Sequence, residues 1–214
     1  MISISGIKYQ KELESLPFFS KSQSRLLIGK TGRNLDAKLA QLKKVGYLVS
    51  LKKNLYITDP FYQKTNRFFY SEYLAGILRS PSYLSLEYIL AKENIIPDAV
   101  VNFTSITLKS SREYINVVGT FLYRNLKPRL FTGYKEESWD EKVIRRASRA
   151  KALFDWLYLQ KLPNPKLNLS SSLRINWDRL TKGDIDEFGK YVRLSKSVKM
   201  SRIFRIIQNL YDNR

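Results

Sequence analysis

The stretch that most constrains this chain is Arg33 to Asp59, RNLDAKLAQLKKVGYLVSLKKNLYITD. Leu35, Leu39, Leu42 and Val45 recur at helical spacing and build one apolar face. Lys38, Gln41 and Lys44 fall on other faces, with Lys43 beside them. Gly46 follows as a stop, because glycine takes the left-handed conformation that ends helices. Leu48 to Leu51 and Leu55 to Ile57 then read as the strands of a hairpin with Lys52-Lys53-Asn54 at its tip. Asn54 tolerates the positive φ that a tight turn requires. A helix leading into a basic-tipped hairpin is the pattern of a winged helix-turn-helix, in which the helix enters the major groove and the hairpin rests on phosphate. An ordinary helix and hairpin with solvated lysines has the same pattern, and the residues alone leave both readings open.

The flanking residues supply the other parts of such a domain. Residues 7 to 16 read as a helix stopped by Pro17. Ser20 or Ser22 can cap a second helix through Leu26, Leu27 and Ile28, ended by Gly29, and residues 30 to 34 make the turn. The first 70 residues carry 13 basic and 4 acidic side chains, a net +9 out of the +19 of the whole chain. A surplus of that size points to a polyanionic partner: nucleic acid, an anionic membrane or an acidic protein. No apolar run approaches a membrane span, and the start of the chain lacks the apolar core of a signal peptide, so the expected location is cytoplasmic.

Two absences narrow the chemistry. With no Cys there is no disulfide, thiolate zinc site or cysteine nucleophile, and with no His the commonest general base and transition-metal ligand are missing. The expectation is a protein that is not an enzyme and carries no cofactor or metal.

Downstream, residues 61 to 80 read as an aromatic-rich linker helix, with Tyr70, Tyr73, Leu74 and Ile77 on one face. Ser82 is expected to cap a further apolar helix ended by Ile95-Ile96-Pro97. From Ala99 the period changes to two, and Val100 to Ser105, Tyr114 to Val118, Thr120 to Arg124, Leu130 to Tyr134 and Val143 to Ala147 read as strands. Ser148 caps the helix from Lys151 to Leu159. A loop over residues 162 to 175 precedes helices around Trp177 to Val192 and Ser197 to Tyr211. The resulting expectation is an α+β protein, with a winged helix-turn-helix over residues 1 to 60 and a mixed domain of short strands packed with helices over 61 to 214.

The run from Pro81 to Tyr134, PSYLSLEYILAKENIIPDAVVNFTSITLKSSREYINVVGTFLYRNLKPRLFTGY, followed by RASRAKALFDWLYL from Arg146 to Leu159, resembles the AbiEi antitoxins of type IV abortive-infection systems. Ser85, Leu86, Glu87, Pro97, Thr104, Ser105, Thr107, Gly119, Phe121, Tyr123, Gly133, Tyr134, Lys151, Ala152, Leu153 and Asp155 stand in matching places. Leu39, Leu42, Lys44, Gly46, Leu48, Leu51, Leu55 and Tyr56 match the family's winged-helix pattern. Asn54 stands where a glycine is usual, a mild change because Asn also holds positive φ. Arg149-Ala150 replaces a Pro-Glu pair. The resemblance covers roughly residues 20 to 160 and fits the last 50 only loosely. It implies a repressor that binds repeats in its own promoter and an antitoxin that counteracts a nucleotidyltransferase-like toxin encoded alongside, without need of a stable complex.

For DNA, Arg33, Asn34, Lys38 and Gln41 are the candidates for base edges. Lys30 and Thr31 in the turn, with Lys52 and Lys53 on the hairpin, are the candidates for phosphate. Lys199, Arg202 and Arg205 repeat every three residues and form either a second nucleic-acid or toxin-facing surface or a solvated helix face. Other motifs carry less. Gly29-Lys30-Thr31 lacks the first glycine of a phosphate-binding loop, where Ser24 stands. Asp184 and Asp186 resemble a metal-binding carboxylate pair, but they sit at a helix start, where acids also favour the dipole. Tyr83, Tyr88, Tyr123, Tyr134 and Tyr158 fit a core with wet hydroxyls better than a stacking platform. Lys151 and Asp155, four apart, read as a surface pair. Two further functions stay open: an RNA- or protein-binding antagonist, and a metal-dependent nucleic-acid enzyme using Asp184 and Asp186 or the acids Glu136, Glu137, Asp140 and Glu141.

Overall fold

The computed structural model describes residues 7–212, which fold as two units of mixed α+β character. One is drawn from the chain up to Tyr70 together with Tyr114–Val118, the other from Ser71–Glu113 and the chain from Gly119 onward. In the first, α1 (Gln10–Ser15) is shorter than expected, and no side chain caps its start. After the two-residue strand β1 (Phe19–Ser20), Ser20 caps α2 (Lys21–Ile28) through a reciprocal bond with Gln23, and Gly29 closes the helix at φ 76°. The helix α3 (Gly32–Lys44) leads through Gly46 into β2 (Leu48–Lys52) and β3 (Leu55–Thr58), with Asn54 at φ 60° in the turn. Strand β1 pairs with β3, so the sheet order is β1-β3-β2.

The face of α3 expected to be apolar is the one that is buried. Leu35, Leu39 and Leu42 close with Leu13, Phe19, Ile28, Tyr47, Leu48 and Tyr56 into one core. The Tyr47 hydroxyl donates to Glu14 at 2.7 Å, and burial together with that carboxylate pushes its pKa well above the usual phenol value.

The expected linker helix is two helices. Thr58 caps α4 (Asp59–Lys64), Thr65 is extended, and the Asn66 side chain accepts from the Phe68 and Phe69 amides to start α5 (Arg67–Leu78). The chain passes from the first unit to the second within α5, between Tyr70 and Ser71.

In the second unit several expectations fail. Ser82 caps no helix: Ser82–Leu84 is strand β4, and the helix α6 (Glu87–Lys92) begins later without a side-chain cap. All three β4 residues are buried between neighbouring strands, and a short strand covered on both faces loses the alternation that distinguishes it from a helix. Leu130 to Tyr134 is not a strand either. Pro128–Leu130 is a 3₁₀ turn, and Gly133 at φ 77° leads into the next strand.

The remaining strands of this unit are β5 (Phe103–Thr107), β7 (Gly119–Asn125), β8 (Tyr134–Trp139) and β9 (Lys142–Ala147), in the order β7-β5-β4-β9-β8, while β6 (Arg112–Asn116) runs into the Tyr114–Val118 segment of the first unit. The acidic strand β8 was not expected, because an exposed edge strand has no apolar face to announce it. Ser148 caps α7 (Arg149–Leu159), whose residues Ala150 to Leu157 are all buried. The loop expected over residues 162 to 175 contains the one-turn helix α8 (Pro165–Leu167) and a π turn at Asn168–Ser172. The helix expected from Trp177 starts only at α9 (Lys182–Ser195), because Thr181 and Asp184 form a capping box there. The last helix is α10 (Val198–Asp212). Among the described residues no helix is long and apolar enough to cross a membrane.

Candidate nucleic-acid interface

With Leu35, Leu39 and Leu42 turned into the core, helical spacing assigns Arg33, Ala37, Gln41 and Lys44 to the opposite face of α3. All four are exposed, as are Asn34 and Ala40. The small side chains at Ala37 and Ala40 let the helix backbone approach a partner closely, while Arg33, Gln41 and Lys44 reach past them. Lys44 completes this stripe and was missed among the base-contact candidates, although the 3.6-residue period of Arg33 and Gln41 points to it.

Lys38 differs from the expectation. It lies at the edge of the buried face, is half-buried, and its ammonium donates to Gln41 Oε1 at 3.2 Å. That bond joins the Lys38 ammonium to the Gln41 amide at the exposed side of the helix. The acidic residue on this helix, Asp36, is neutralised by an ion pair with Lys21. Lys30 and Thr31 are exposed in the turn before α3, with Thr31 at the N-cap position and no side-chain cap bond. Lys53 is exposed at the hairpin tip, and Lys52 is half-buried with its ammonium 5.9 Å from the centre of the Tyr114 ring. The first unit therefore carries all eight residues expected to meet DNA, with the Lys38 ammonium bonded to Gln41.

The C-terminal stripe does not hold as a set. The Lys199 ammonium donates to the carbonyls of Tyr158 at 2.8 Å and Gln160 at 2.6 Å, closing the end of α7, and burial holds its pKa below the usual lysine value. Arg202 and Arg205 remain exposed.

Four of the six acids weighed as metal ligands are engaged elsewhere. Asp184 caps α9 through Thr181, Glu136 pairs with Arg145, Glu137 with Arg146, and Asp140 with Lys142. Among the described residues no three Asp or Glu side chains are grouped as a metal ion would need.

The largest correction is Lys151 and Asp155, which are not a surface pair but are both fully buried. Asp155 accepts from Lys151 on one oxygen, and from the Tyr83 hydroxyl and Ser85 hydroxyl, each at 2.9 Å, on the other. The ammonium also faces the rings of Phe154, Tyr191 and Tyr83, at 5.1, 5.3 and 5.6 Å. Burial lowers the Lys151 pKa and raises that of Asp155, with each charge opposing the effect on the other. Residues that carry the resemblance meet here: Ser85, Gly133, Lys151 and Asp155 lie in one cluster, and Glu87 accepts from Nε1 of Trp156, the residue after Asp155. Their bonds fix α7 against Tyr83, Ser85 and Glu87. Three of the five tyrosine hydroxyls expected to be wet are buried and bonded, Tyr83 to Asp155, Tyr88 to Glu72 at 2.8 Å and Tyr123 to the Ala75 carbonyl at 2.6 Å.

A second buried cluster centres on Glu72, which accepts from Arg146, Lys92 and Tyr88. Burial alone would raise the Glu72 pKa, but these donors outweigh it and hold the carboxyl below its ordinary value. A depressed carboxylate contributes stability that is complete above about pH 4.5 and is lost as pH falls through the lower folded pKa. Glu72→Gln is therefore expected to be less stable at neutral pH and to decline less steeply below pH 4.5. Urea midpoints measured across an acid series check this, and parallel acid limbs for the two proteins would refute it.

Compared with protein-family models and with curated proteins, the sequence matches none.

Proposed function

We propose that the first unit is a winged helix-turn-helix that binds duplex DNA, with α3 as recognition helix and the β2–β3 hairpin as wing. The observation that carries this is the outward stripe of Arg33, Gln41 and Lys44 on α3, in a segment with net charge +9. Arg33 and Gln41 suit bidentate contacts to guanine and adenine, while Lys30, Thr31, Lys52 and Lys53 suit phosphate. On this reading the protein represses the promoter of its own operon by occupying repeats there. The resemblance from Pro81 to Leu159 extends the proposal to a type IV antitoxin of the AbiEi kind, acting in the cytoplasm without catalysis of its own. Its second unit counteracts a nucleotidyltransferase-like toxin.

The test is binding to the DNA upstream of the gene, against scrambled duplex, across a salt series. Arg33→Ala with Gln41→Ala is expected to weaken specific binding by at least about tenfold, since each bidentate base contact contributes about 1–3 kcal/mol of discrimination. Equal weak binding to every duplex would overturn the repressor assignment and reduce the charge to general polyanion affinity. For the antitoxin half, co-expression with the toxin encoded beside it is expected to restore growth. Continued arrest would overturn that half alone.

A further inference from the structure

The hairpin that joins β2 to β3 contains an irregularity that sequence does not announce. Ser50 faces Tyr56 and Lys52 faces Leu55, so Leu51 is an extra residue with no partner opposite. Such a bulge disrupts the ladder locally and bends the strand that carries it. Here it sits just ahead of the tip that presents Lys52 and Lys53.

The Leu51 carbonyl is met from far along the chain. Asn116 Nδ2 donates to it at 2.9 Å, and the Asn116 Oδ1 accepts from the Val118 amide at 2.8 Å. One side chain thus shapes its own turn and bonds the bulge. Two residues earlier, Tyr114 places its ring under the Lys52 ammonium. The segment Tyr114–Val118 belongs to the same unit as the hairpin. On its other side the tip is tied by the Asn54 carbonyl, which accepts from the Lys21 amide at 3.1 Å.

We infer that Asn116 and Tyr114 are positioning residues for the wing, setting the bulge and the Lys52 ammonium so that Lys52 and Lys53 meet phosphate together. This rests on the winged-helix reading proposed above. A hairpin pinned at both ends loses less conformational freedom when it docks, so pinning raises affinity without adding a contact to the partner.

The experiment uses the full chain and the duplex upstream of its gene, measured over a salt series for wild type, Asn116→Ser, Tyr114→Leu and Lys52→Ala with Lys53→Ala. Serine keeps an acceptor for the Val118 amide and leaves the net charge unchanged, but it is too short to reach the Leu51 carbonyl. Two phosphate contacts correspond to about 1.8 in the slope of log K against log salt. Asn116→Ser is expected to lose a large part of what the double lysine variant loses, and to cause little further loss when combined with it. Tyr114→Leu, which leaves the Asn116 bond in place, is expected to act in the same direction and serves if Asn116→Ser does not fold.

A wild-type slope in both variants, or losses that simply add to those of the lysines, would overturn the positioning role. If the double lysine variant itself keeps the wild-type slope, the wing assignment fails and the positioning role fails with it. Hydrogen exchange at residues 51 to 55 without DNA gives a separate readout: faster exchange in Asn116→Ser supports pinning, and unchanged exchange contradicts it.

Discussion

Asp155→Ala is expected to destabilise the second unit by about 3–5 kcal/mol, the range found when one partner of a buried ion pair is removed. The loss has three parts in this structure. The Lys151 ammonium remains fully buried with its carboxylate gone, and the hydroxyls of Tyr83 and Ser85 lose their common acceptor. An unsatisfied buried hydroxyl alone costs about 1–3 kcal/mol. Urea unfolding monitored by tryptophan fluorescence measures the sum, with Trp156 one residue from the site. A cost below about 1 kcal/mol would mean that water reaches the pair. Asp155→Asn, which keeps an acceptor, is expected to lose less. Replacing Lys151, Asp155, Tyr83 and Ser85 together by Met, Leu, Phe and Ala removes charge, donors and acceptor at once. That variant is expected to recover most of the stability, as apolar replacements of buried pairs often do.

Gly133→Ala is expected to cost about 2–4 kcal/mol, from two independent sources. The backbone there has φ 77°, which an alanine adopts only with strain. The added Cβ would also overlap the Tyr191 hydroxyl, lying 2.6 Å from Tyr191 Cζ and 3.0 Å from Lys151 Cδ. Tyr191 donates to Glu187 at 2.5 Å and faces the Lys151 ammonium, so moving its ring disturbs both. The pairing of Gly133→Ala with Tyr191→Leu, measured against Tyr191→Leu alone, separates the sources. Leucine removes both the hydroxyl and Cζ, and leaves the φ penalty. Full recovery in the double variant would show that backbone strain plays no part, and no recovery would show that the overlap plays none.

Both predictions concern residues that the sequence singled out without their role. Lys151 and Asp155 stand four apart in a helix, a spacing that equally describes an exposed ion pair and a buried one. What decides between them is whether the rest of the helix is covered, and α7 is buried from Ala150 to Leu157 by elements from distant parts of the chain. Lys199 changes role for the same reason. It belongs to a regular basic stripe by sequence, but its ammonium meets the carbonyls of a helix end 39 and 41 residues away.

Local chemistry was enough where the determinants lie within a few residues of one another. The Ser20 and Ser148 caps, the Gly29 stop, the buried face of α3 and the turn at Asn54 all follow from neighbouring side chains and φ preferences. So did the exposure of Arg33 and Gln41, because period 3.6 separates them from Leu35, Leu39 and Leu42. Tertiary structure alone decided that Ser82–Leu84 is a central strand, that Leu51 is a bulge met by Asn116, and that Glu72 and Asp155 are buried acceptors. Each of those depends on a partner many residues away, 65 for Asn116 and Leu51 and 74 for Glu72 and Arg146. A helix cap is specified by residues that are always near each other, whereas a buried polar bond exists only after the chain has closed around it.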